Sequence, residues 1–282
     1  MKNIRGFLVC MLMFWFFAPV RADVLVLVHG WSANADTWLH SGVIPALEAN
    51  GWANAGVVVS LPEGGIRHIP AHGADAANKI YSVHLPGEAP LQLQAAHLFA
   101  ELQYIHQLNP SEDIFLVGHS AGGVVARIVL VHGNTLPIRS LITVASPNLG
   151  TSRALEGLDI AEGKPFFCPG PGVDFLKTLV GGDSYRYLRH SRGALVDMIP
   201  AAPGSLIGWL NQQPHPDIAY YAIVRQGPVY SGDELVPAFS QDLNQVPALQ
   251  GRAKVYMTPS GHALNPADGQ LLVTILGERL TP

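Results

Sequence analysis

The chain has 282 residues, of which 48% are apolar and only 13% are charged, with a formal net charge of −4. This share of charged residues lies far below the usual quarter, which excludes an intrinsically disordered or highly charged protein. The basic residues form no run, which argues against a nucleic-acid partner, and two cysteines cannot build a disulfide framework.

Residues 1–22 have the layout of a secretory signal peptide. Lys2 and Arg5 precede an uninterrupted apolar run from Phe7 to Ala18, and small residues precede a cleavage point after Ala22. As a helix the run would cover about 18 Å, short of the ~30 Å hydrocarbon core of a membrane. We therefore predict a secreted or periplasmic protein of residues 23–282, with an uncleaved membrane anchor as the alternative.

Strands and helices alternate along the remaining chain. Apolar runs predict strands at 24–28, 57–61, 113–117, 140–145, 220–224 and 254–257, and helical spacing predicts helices at about 37–50, 91–108, 121–131 and 267–280. Two stretches rich in glycine and proline, residues 62 to about 90 and 147 to about 216, are interpreted as irregular insertions, the second with helical stretches near 175–188 and 204–211. The alternation predicts a single α/β domain with a mostly parallel sheet of about six strands and helices on both faces.

The strongest chemical signal lies between a predicted strand and a predicted helix. Residues 118–122 read Gly-His-Ser-Ala-Gly, which fits the G-x-S-x-G pattern of a nucleophile turn. Ser120 would then project over the carboxyl edge of the sheet, with a helix N-terminus beneath it that stabilises negative charge. This context favours a nucleophilic serine over an incidental one in a glycine-rich turn.

A serine hydroxyl needs a base and an orienting acid to act as a nucleophile. His262, in a turn after the last predicted strand, is the candidate base, and His215, between two prolines, is its competitor. Asp233 is the candidate acid, because this turn type has the chain order serine, acid, histidine. Asp197 is the reserve, and Glu234 is expected to point away from Asp233 in an extended segment.

Acyl transfer also needs N–H donors aimed at the developing oxyanion. We expect one from the backbone of Ala121, directly after the candidate nucleophile. The second is expected from the loop after the first strand, with the backbone N–H of Trp31 preferred and that of Ser32 as the second choice. The indole of Trp31 can take part in core packing as well, since the expected donor is its backbone.

Together these motifs resemble the α/β hydrolases, and more narrowly the secreted bacterial lipases and esterases with a Gly-His-Ser-x-Gly turn. The resemblance covers residues 24–280. The matching segments are His29-Gly30-Trp31, residues 118–123 with Arg127, residues 145–151, Asp233 in GDELVP and His262 in SGHALNP.

The resemblance implies a minimal α/β-hydrolase fold without cofactor or metal. Some secreted lipases carry a calcium-binding acid two residues after the histidine, and Leu264 occupies that position here. A zinc site at His68 and His72 is disfavoured, because Pro70 between them interrupts any helix.

The resemblance further implies a cap or lid at about 151–215. Its apolar residues would either line a hydrophobic substrate site or pack the cap on the sheet. These residues are Phe166, Phe167, Phe175, Leu176, Leu179, Leu206, Ile207, Trp209 and Leu210.

The function implied is that of a serine carboxylic-ester hydrolase that acts through an acyl-enzyme on apolar acyl esters. The expected partner is a small-molecule or lipid ester, with transient contact to a lipid interface. Two alternatives stay open: an acyltransferase or thioester or amide hydrolase with the same three residues, and a non-catalytic binding protein of the same fold.

Overall fold

The fold is that of a computed structural model, described over residues 22–133, 135–162, 184–227 and 231–278. The predicted signal peptide lies outside these ranges except for Ala22, and so do the predicted lining residues from Phe166 to Leu179. Within the described ranges, no helix has the length and apolar character needed to cross a membrane.

An eight-stranded sheet forms the centre of the protein, with the strand order β3-β2-β4-β1-β5-β6-β7-β8. The strands are β1 (Asp23–Val28), β2 (Ala53–Ser60), β3 (Ile66–Pro70), β4 (Lys79–His84), β5 (Asp113–His119), β6 (Ile138–Val144), β7 (Ala219–Arg225) and β8 (Ala253–Thr258). Neighbouring strands are parallel except β2 and β3, which pair antiparallel at one edge. The predicted α/β class with a mostly parallel sheet is confirmed.

Helices cover both faces of this sheet. They are α1 (Thr37–His40), α2 (Val43–Glu48), α3 (Leu91–Leu108), α4 (Ala121–Val131), α5 (Ser152–Ala161), α6 (Ser184–His190), α7 (Arg192–Asp197), α8 (Leu206–Leu210), α9 (Ala238–Gln241) and α10 (Pro266–Glu278). Side chains of β1 alternate between two cores, Val24, Val26 and Val28 beneath α3 and α4, and Leu25 and Leu27 beneath α2 and α10. This alternation is the period-two geometry of a strand that is buried on both faces.

The prediction of about six strands is wrong by two. Strands β3 and β4 lie in residues 62–90, the stretch that glycine and proline content marked as irregular, and β4 pairs with both β1 and β2 inside the sheet. The sequence of β4 places the polar Ser82 at a buried position, so it has no continuous apolar run. Pairing with two neighbours therefore decides this strand more than its local composition does.

The single helix predicted at 37–50 is interrupted. Gly42 adopts a left-handed φ of 82° between α1 and α2, which a glycine tolerates without strain. The break allows α2 to pack along α10 on one face of the sheet. Helical periodicity alone does not reveal the change of direction.

Helices α5 to α8 fall within residues 151–215, where a cap was predicted. Ile207 and Leu210, two predicted lining residues, are buried in the core, because α8 packs on α4. Leu206 and Trp209 border a surface groove whose described lining does not include Ser120. The clefts next to Ser120 are formed by other residues.

Candidate active site

Ser120 lies between β5 and α4 at the carboxyl edge of the sheet. Its backbone has φ 52° and ψ −128°, and its N–H donates a hydrogen bond to the Val144 carbonyl at 2.9 Å. A non-glycine residue in such a conformation costs about 1–3 kcal/mol, which the surrounding structure must supply. The strained turn separates the side chain from both the strand and the helix and leaves its hydroxyl free to meet other groups.

Close backbone packing surrounds this turn. A Cβ placed on Gly30 would lie 2.8 Å from the Ser120 Cβ, and a Cβ on Gly122 would collide with the carbonyl oxygen of His29. The absence of side chains at these two glycines brings the loop after β1 directly against the serine. The loop predicted to supply an oxyanion donor therefore adjoins the predicted nucleophile.

Ser120, His262 and Asp233 form a continuous chain of hydrogen bonds. His262 Nε2 is 2.9 Å from Ser120 Oγ, and His262 Nδ1 is 3.0 Å from Asp233 Oδ2. With the Nδ1 proton directed at the carboxylate, Nε2 can accept the proton of the serine hydroxyl. The three side chains come from the turns after β5, β7 and β8. These strands belong to the contiguous parallel run β5-β6-β7-β8, so their carboxyl ends lie on the same side of the sheet.

The carboxylate of Asp233 is buried in a tight turn. Its Oδ1 accepts the backbone N–H groups of Leu235 and Val236 at 2.8 and 2.7 Å. Burial raises the pKa of Asp233, but hydrogen bonds from His262 and the backbone, with the charge of His262, outweigh it and hold the pKa below its usual value. Asp233 is therefore ionised at neutral pH and orients the imidazole.

The two reserve candidates have other partners. Asp197 Oδ2 accepts the backbone N–H of Leu91 at the start of α3, at 2.7 Å. His215 Nε2 accepts a hydrogen bond from Arg127 Nε at 3.3 Å, and burial, with the charge of Arg127, lowers its pKa to about 4. Among the described hydrogen bonds, neither residue contacts Ser120 or the His262 ring.

The expectation for Glu234 is wrong. The segment around Asp233 is bent rather than extended, so Glu234 turns its carboxylate toward the same histidine. Its two oxygens lie 3.2 and 3.3 Å from the backbone N of His262 and accept that N–H. Asp233 therefore binds the ring of His262, and the adjacent Glu234 binds its backbone.

Gln241 is a further contact of the carboxylate that sequence reasoning missed. It is 1% exposed, and its Nε2 donates to Asp233 Oδ2 at 3.1 Å and to the Val236 carbonyl at 2.7 Å. Its Oε1 accepts the backbone N–H of Arg225 at 2.7 Å. No sequence signal marks this glutamine, since α9 must fold back on the acid turn before the two meet.

A buried ion pair spans the histidine turn. Arg225, at the end of β7, binds both carboxylate oxygens of Asp268 in the first turn of α10, at 2.6 and 2.8 Å, and also donates to Thr258 Oγ1 at 3.0 Å. The two side chains are 0% and 2% exposed. Through Thr258 at the end of β8 and Asp268 in α10, Arg225 contacts the strand and the helix on either side of His262, which limits where that turn can lie.

His119 contacts the turn that carries His262. Burial and the neighbouring His262 lower the pKa of His119 to about 3, so its ring is neutral. Its Nε2 lies 2.9 Å from the backbone carbonyl of His262 and donates to it in the tautomer that carries the proton there. The residue directly before the serine thereby contacts the histidine turn.

The loop after β1 is held on two sides. His29, whose pKa burial lowers to about 4, donates from Nδ1 to the Gly30 carbonyl at 2.9 Å and accepts the Leu85 N–H at Nε2. On the other side the Trp31 ring lies 5.4 Å from the Tyr187 ring. These contacts hold the loop whose Gly30 adjoins Ser120, and Ala121 begins α4 directly after the serine.

Two clefts border Ser120. The narrow cleft, of about 40 Å³, is mainly apolar, with Pro147, Ala154, Leu195, Met198, Leu235 and Val236 in its wall. The wide cleft, of about 500 Å³, contains Ser32, Asn34, Thr37, His40, His262 and Leu264. Trp31 borders both clefts.

The histidines considered for zinc bind other groups. His68 Nε2 is 2.9 Å from the Ala55 carbonyl, and His72 Nε2 is 2.9 Å from a carboxylate oxygen of Glu48. Across the described residues, no cluster of three or more His, Cys, Asp or Glu side chains is arranged to hold a metal.

The sequence model of the alpha/beta hydrolase family matches residues 25–274. The chain belongs to this family. A comparison with curated proteins finds no match.

Solved structures share the fold of this α/β hydrolase at low sequence identity. The product of the gene lin2722 of Listeria innocua has a TM-score of 0.60 and 18% identity over 90% of this chain and 94% of that one. The mature lipase BlEst2 of Bacillus licheniformis has a TM-score of 0.58 and 16% identity over 94% of both chains. A lipase-esterase related protein of Clostridium acetobutylicum has a TM-score of 0.55 and 13% identity over 92% of this chain and 95% of that one. The family supports hydrolase activity, the neighbours show the shared fold, and the predicted fold family is confirmed.

Proposed function

We propose that this α/β hydrolase is a serine carboxylic-ester hydrolase with Ser120 as nucleophile, His262 as general base and Asp233 as orienting acid. The observation that carries the proposal is the pair of hydrogen bonds, at 2.9 and 3.0 Å, that connects the three side chains. The strained backbone of Ser120 and the depressed pKa of Asp233 agree with these roles.

The reaction proceeds in two halves. Ser120 Oγ attacks the ester carbonyl carbon while His262 Nε2 takes the hydroxyl proton, and the carbon–oxygen bond to the alcohol breaks as His262 returns that proton to the leaving oxygen. Water then attacks the acyl-enzyme, His262 takes a proton from it, and the acid leaves as Ser120 is reprotonated. Asp233 stabilises the imidazolium in both halves.

Negative charge on the carbonyl oxygen needs fixed donors in each half. The backbone N–H of Ala121 at the start of α4 and that of Trp31 in the adjoining loop are the proposed pair, with Ser32 as the second choice in the loop. The helix N-terminus adds positive potential at the same place.

The test is hydrolysis of p-nitrophenyl butanoate by wild type and by Ser120→Ala, with Ser111→Ala, an exposed serine before β5, as the matched control. We expect kcat/KM to fall by at least about 10³-fold in Ser120→Ala, since removing one member of the triad leaves only residual catalysis. A fluorophosphonate probe should label Ser120, as read by mass spectrometry of peptides. A folded wild type with no esterase activity, or an active Ser120→Ala, would contradict the proposal, and transfer of the acyl group to added alcohol instead of water would favour the acyltransferase.

The same proposal includes export of the chain. Residues 1–22 act as the signal and residues 23–282 work as one domain, which follows from the sequence pattern described above. N-terminal sequencing of the protein from the exporting cell should start at Asp23, and a start at Met1 would support the membrane anchor instead.

A further inference from the structure

The two clefts at Ser120 differ in size and chemistry, and an ester has two dissimilar halves. The narrow cleft is less than a tenth of the volume of the wide one, at about 40 Å³ against 500 Å³. A substrate carbonyl at Ser120 must direct its acyl group into one cleft and its alcohol into the other. The assignment of each half follows from the position of the base.

His262 must protonate the leaving alcohol oxygen as the acyl-enzyme forms, so that oxygen has to lie within hydrogen-bond reach of Nε2. His262 lines the wide cleft and is not in the wall of the narrow one, whereas Ser120 borders both. The alcohol therefore occupies the wide cleft. The acyl group lies on the side away from the histidine, in the narrow cleft.

The narrow cleft has a rigid floor. Leu195 lies in α7 and Met198 directly follows that helix. The two residues are 2% and 5% exposed and belong to the buried cluster that forms the core beneath α4. Core side chains of this kind are closely packed, so extra methylenes displace them at a cost. A growing acyl chain meets this floor after a few carbon atoms.

Arg153 is part of the wall of the same cleft. Its guanidinium Nη1 pairs with Glu156 at 2.7 Å, and its Nε donates to the Glu234 carbonyl at 3.1 Å. A long apolar tail would have to lie against this charged group or break its contacts, which costs free energy because the group would be desolvated.

The wide cleft can hold a larger group and offers polar contacts. Asn34 and His40 are exposed at its mouth, with Thr37 between them, while Leu264 is buried and apolar at its inner wall. These side chains suit an alcohol that is bulky and carries oxygen atoms of its own, such as an acylated polyol.

We propose that the substrate is an ester of a short acyl group, of acetyl to butanoyl size, with a bulky polar alcohol, and that Leu195 and Met198 set the acyl length. The inference rests on the proposed function. It narrows the apolar acyl esters that the resemblance implies to those with a short acyl group.

The acyl arm of the test keeps the leaving group constant. With p-nitrophenyl esters from acetate to palmitate, wild-type kcat/KM should fall by at least about tenfold from butanoate to octanoate, because each methylene that does not fit is worth roughly tenfold or more. Met198→Ala and Leu195→Ala should each raise the octanoate-to-butanoate ratio about tenfold. Met257→Ala, in the exposed part of β8, is the matched control and should leave the ratio unchanged. Circular dichroism verifies that each variant is folded. Because Met198→Ala and Leu195→Ala shorten two side chains of the same cleft, the test can still be made when one of the variants is unstable.

The alcohol arm keeps the acyl group constant. Glycerol tributanoate should be hydrolysed with a higher kcat/KM than ethyl butanoate, and Ala33→Phe in the wall of the wide cleft should reduce this advantage without altering the octanoate-to-butanoate ratio. The inference is overturned if wild type prefers octanoate or palmitate, or if Met198→Ala changes the alcohol preference and Ala33→Phe the acyl preference. Loss of the proposed function itself looks different, since no ester of either series would then show Ser120-dependent hydrolysis.

Discussion

The turn that carries Ser120 and the turns that carry Asp233 and His262 are held in place by different forces. The serine turn joins a central strand to a helix, and backbone strain with glycine packing at Gly30 and Gly122 defines it. The acid and histidine turns follow the two strands at one edge of the sheet, and buried side-chain hydrogen bonds define them.

This difference separates two kinds of requirement on the sequence. Around the serine, a Cβ added to Gly30, Gly118, Gly122 or Gly123 would come within 3 Å of a neighbouring atom, so the conformation depends on residues that lack a side chain. Around Asp233 and His262, the positions depend on Gln241, Glu234 and the Arg225–Asp268 pair, and each of these can be removed individually. Substitutions should therefore affect the two regions in different ways.

The largest effect is expected from breaking the buried ion pair. Arg225→Met leaves the Asp268 carboxylate buried without its partner, which should lower the free energy of unfolding by about 3–5 kcal/mol, measured by urea denaturation. The esterase kcat should fall as well, because the histidine turn loses its tether.

The double variant Arg225→Met/Asp268→Leu should recover most of the stability, since an apolar pair of similar volume replaces the charges. Lys254→Met is the control, because it breaks an ion pair with Glu278 that lies at the surface, and it should leave stability nearly unchanged. An Arg225→Met variant as stable as wild type would mean that the pair does not hold the turn.

An intermediate effect is expected at Gln241. Gln241→Leu removes a hydrogen bond to a charged carboxylate, worth about 1.5–3 kcal/mol, so kcat should fall roughly 10–100-fold with a smaller change in KM. Gln250→Leu, an exposed glutamine, should leave both unchanged.

A pH profile separates positioning from a merely structural role at this residue. In Gln241→Glu the protonated carboxyl can still donate to Asp233, but as pH rises it ionises, loses that proton donor and repels the Asp233 carboxylate, which weakens the hold of Asp233 on His262. The ratio of variant to wild-type kcat/KM should therefore fall as pH rises from about 5 to 8. Parallel profiles for the two proteins would argue against the role.

The smallest effect concerns the strained serine itself. Ser120→Gly and Ser120→Ala should both be inactive. The free energy of unfolding should nevertheless be about 1 kcal/mol larger for Ser120→Gly than for Ser120→Ala, because only glycine adopts φ 52° and ψ −128° without strain. At Ser111, outside any positive-φ position, the order should reverse. Equal stabilities of the two Ser120 variants would show that the turn stores no strain.

Part of this arrangement could be predicted because its signals are local in the chain. The strand, turn and helix around Ser120 are contiguous, so the apolar run and the glycines of residues 113–131 were sufficient to predict them. The order of serine, acid and histidine selected Asp233 and His262, which the structure brings into hydrogen-bond contact with Ser120 across 142 residues.

Other features have no local signal. Strand β4 was interpreted as part of a loop, because its buried Ser82 breaks the apolar pattern and only pairing with β1 and β2 makes it a strand. The orientation of Glu234 depends on a bend at residues 234–236 that the residue alternation does not reveal.

The sequence by itself determined the class of the fold, the serine turn and the candidates for acid and base. The periodicity of neighbouring residues and the local motif predict the first two, and the order of the residues along the chain selects the acid and the base. Only the tertiary structure decided the eight-stranded sheet, the contacts of Gln241 and Arg225, and the unequal clefts at Ser120. These depend on segments that meet in space while lying far apart in the chain, and no local pattern specifies such partners.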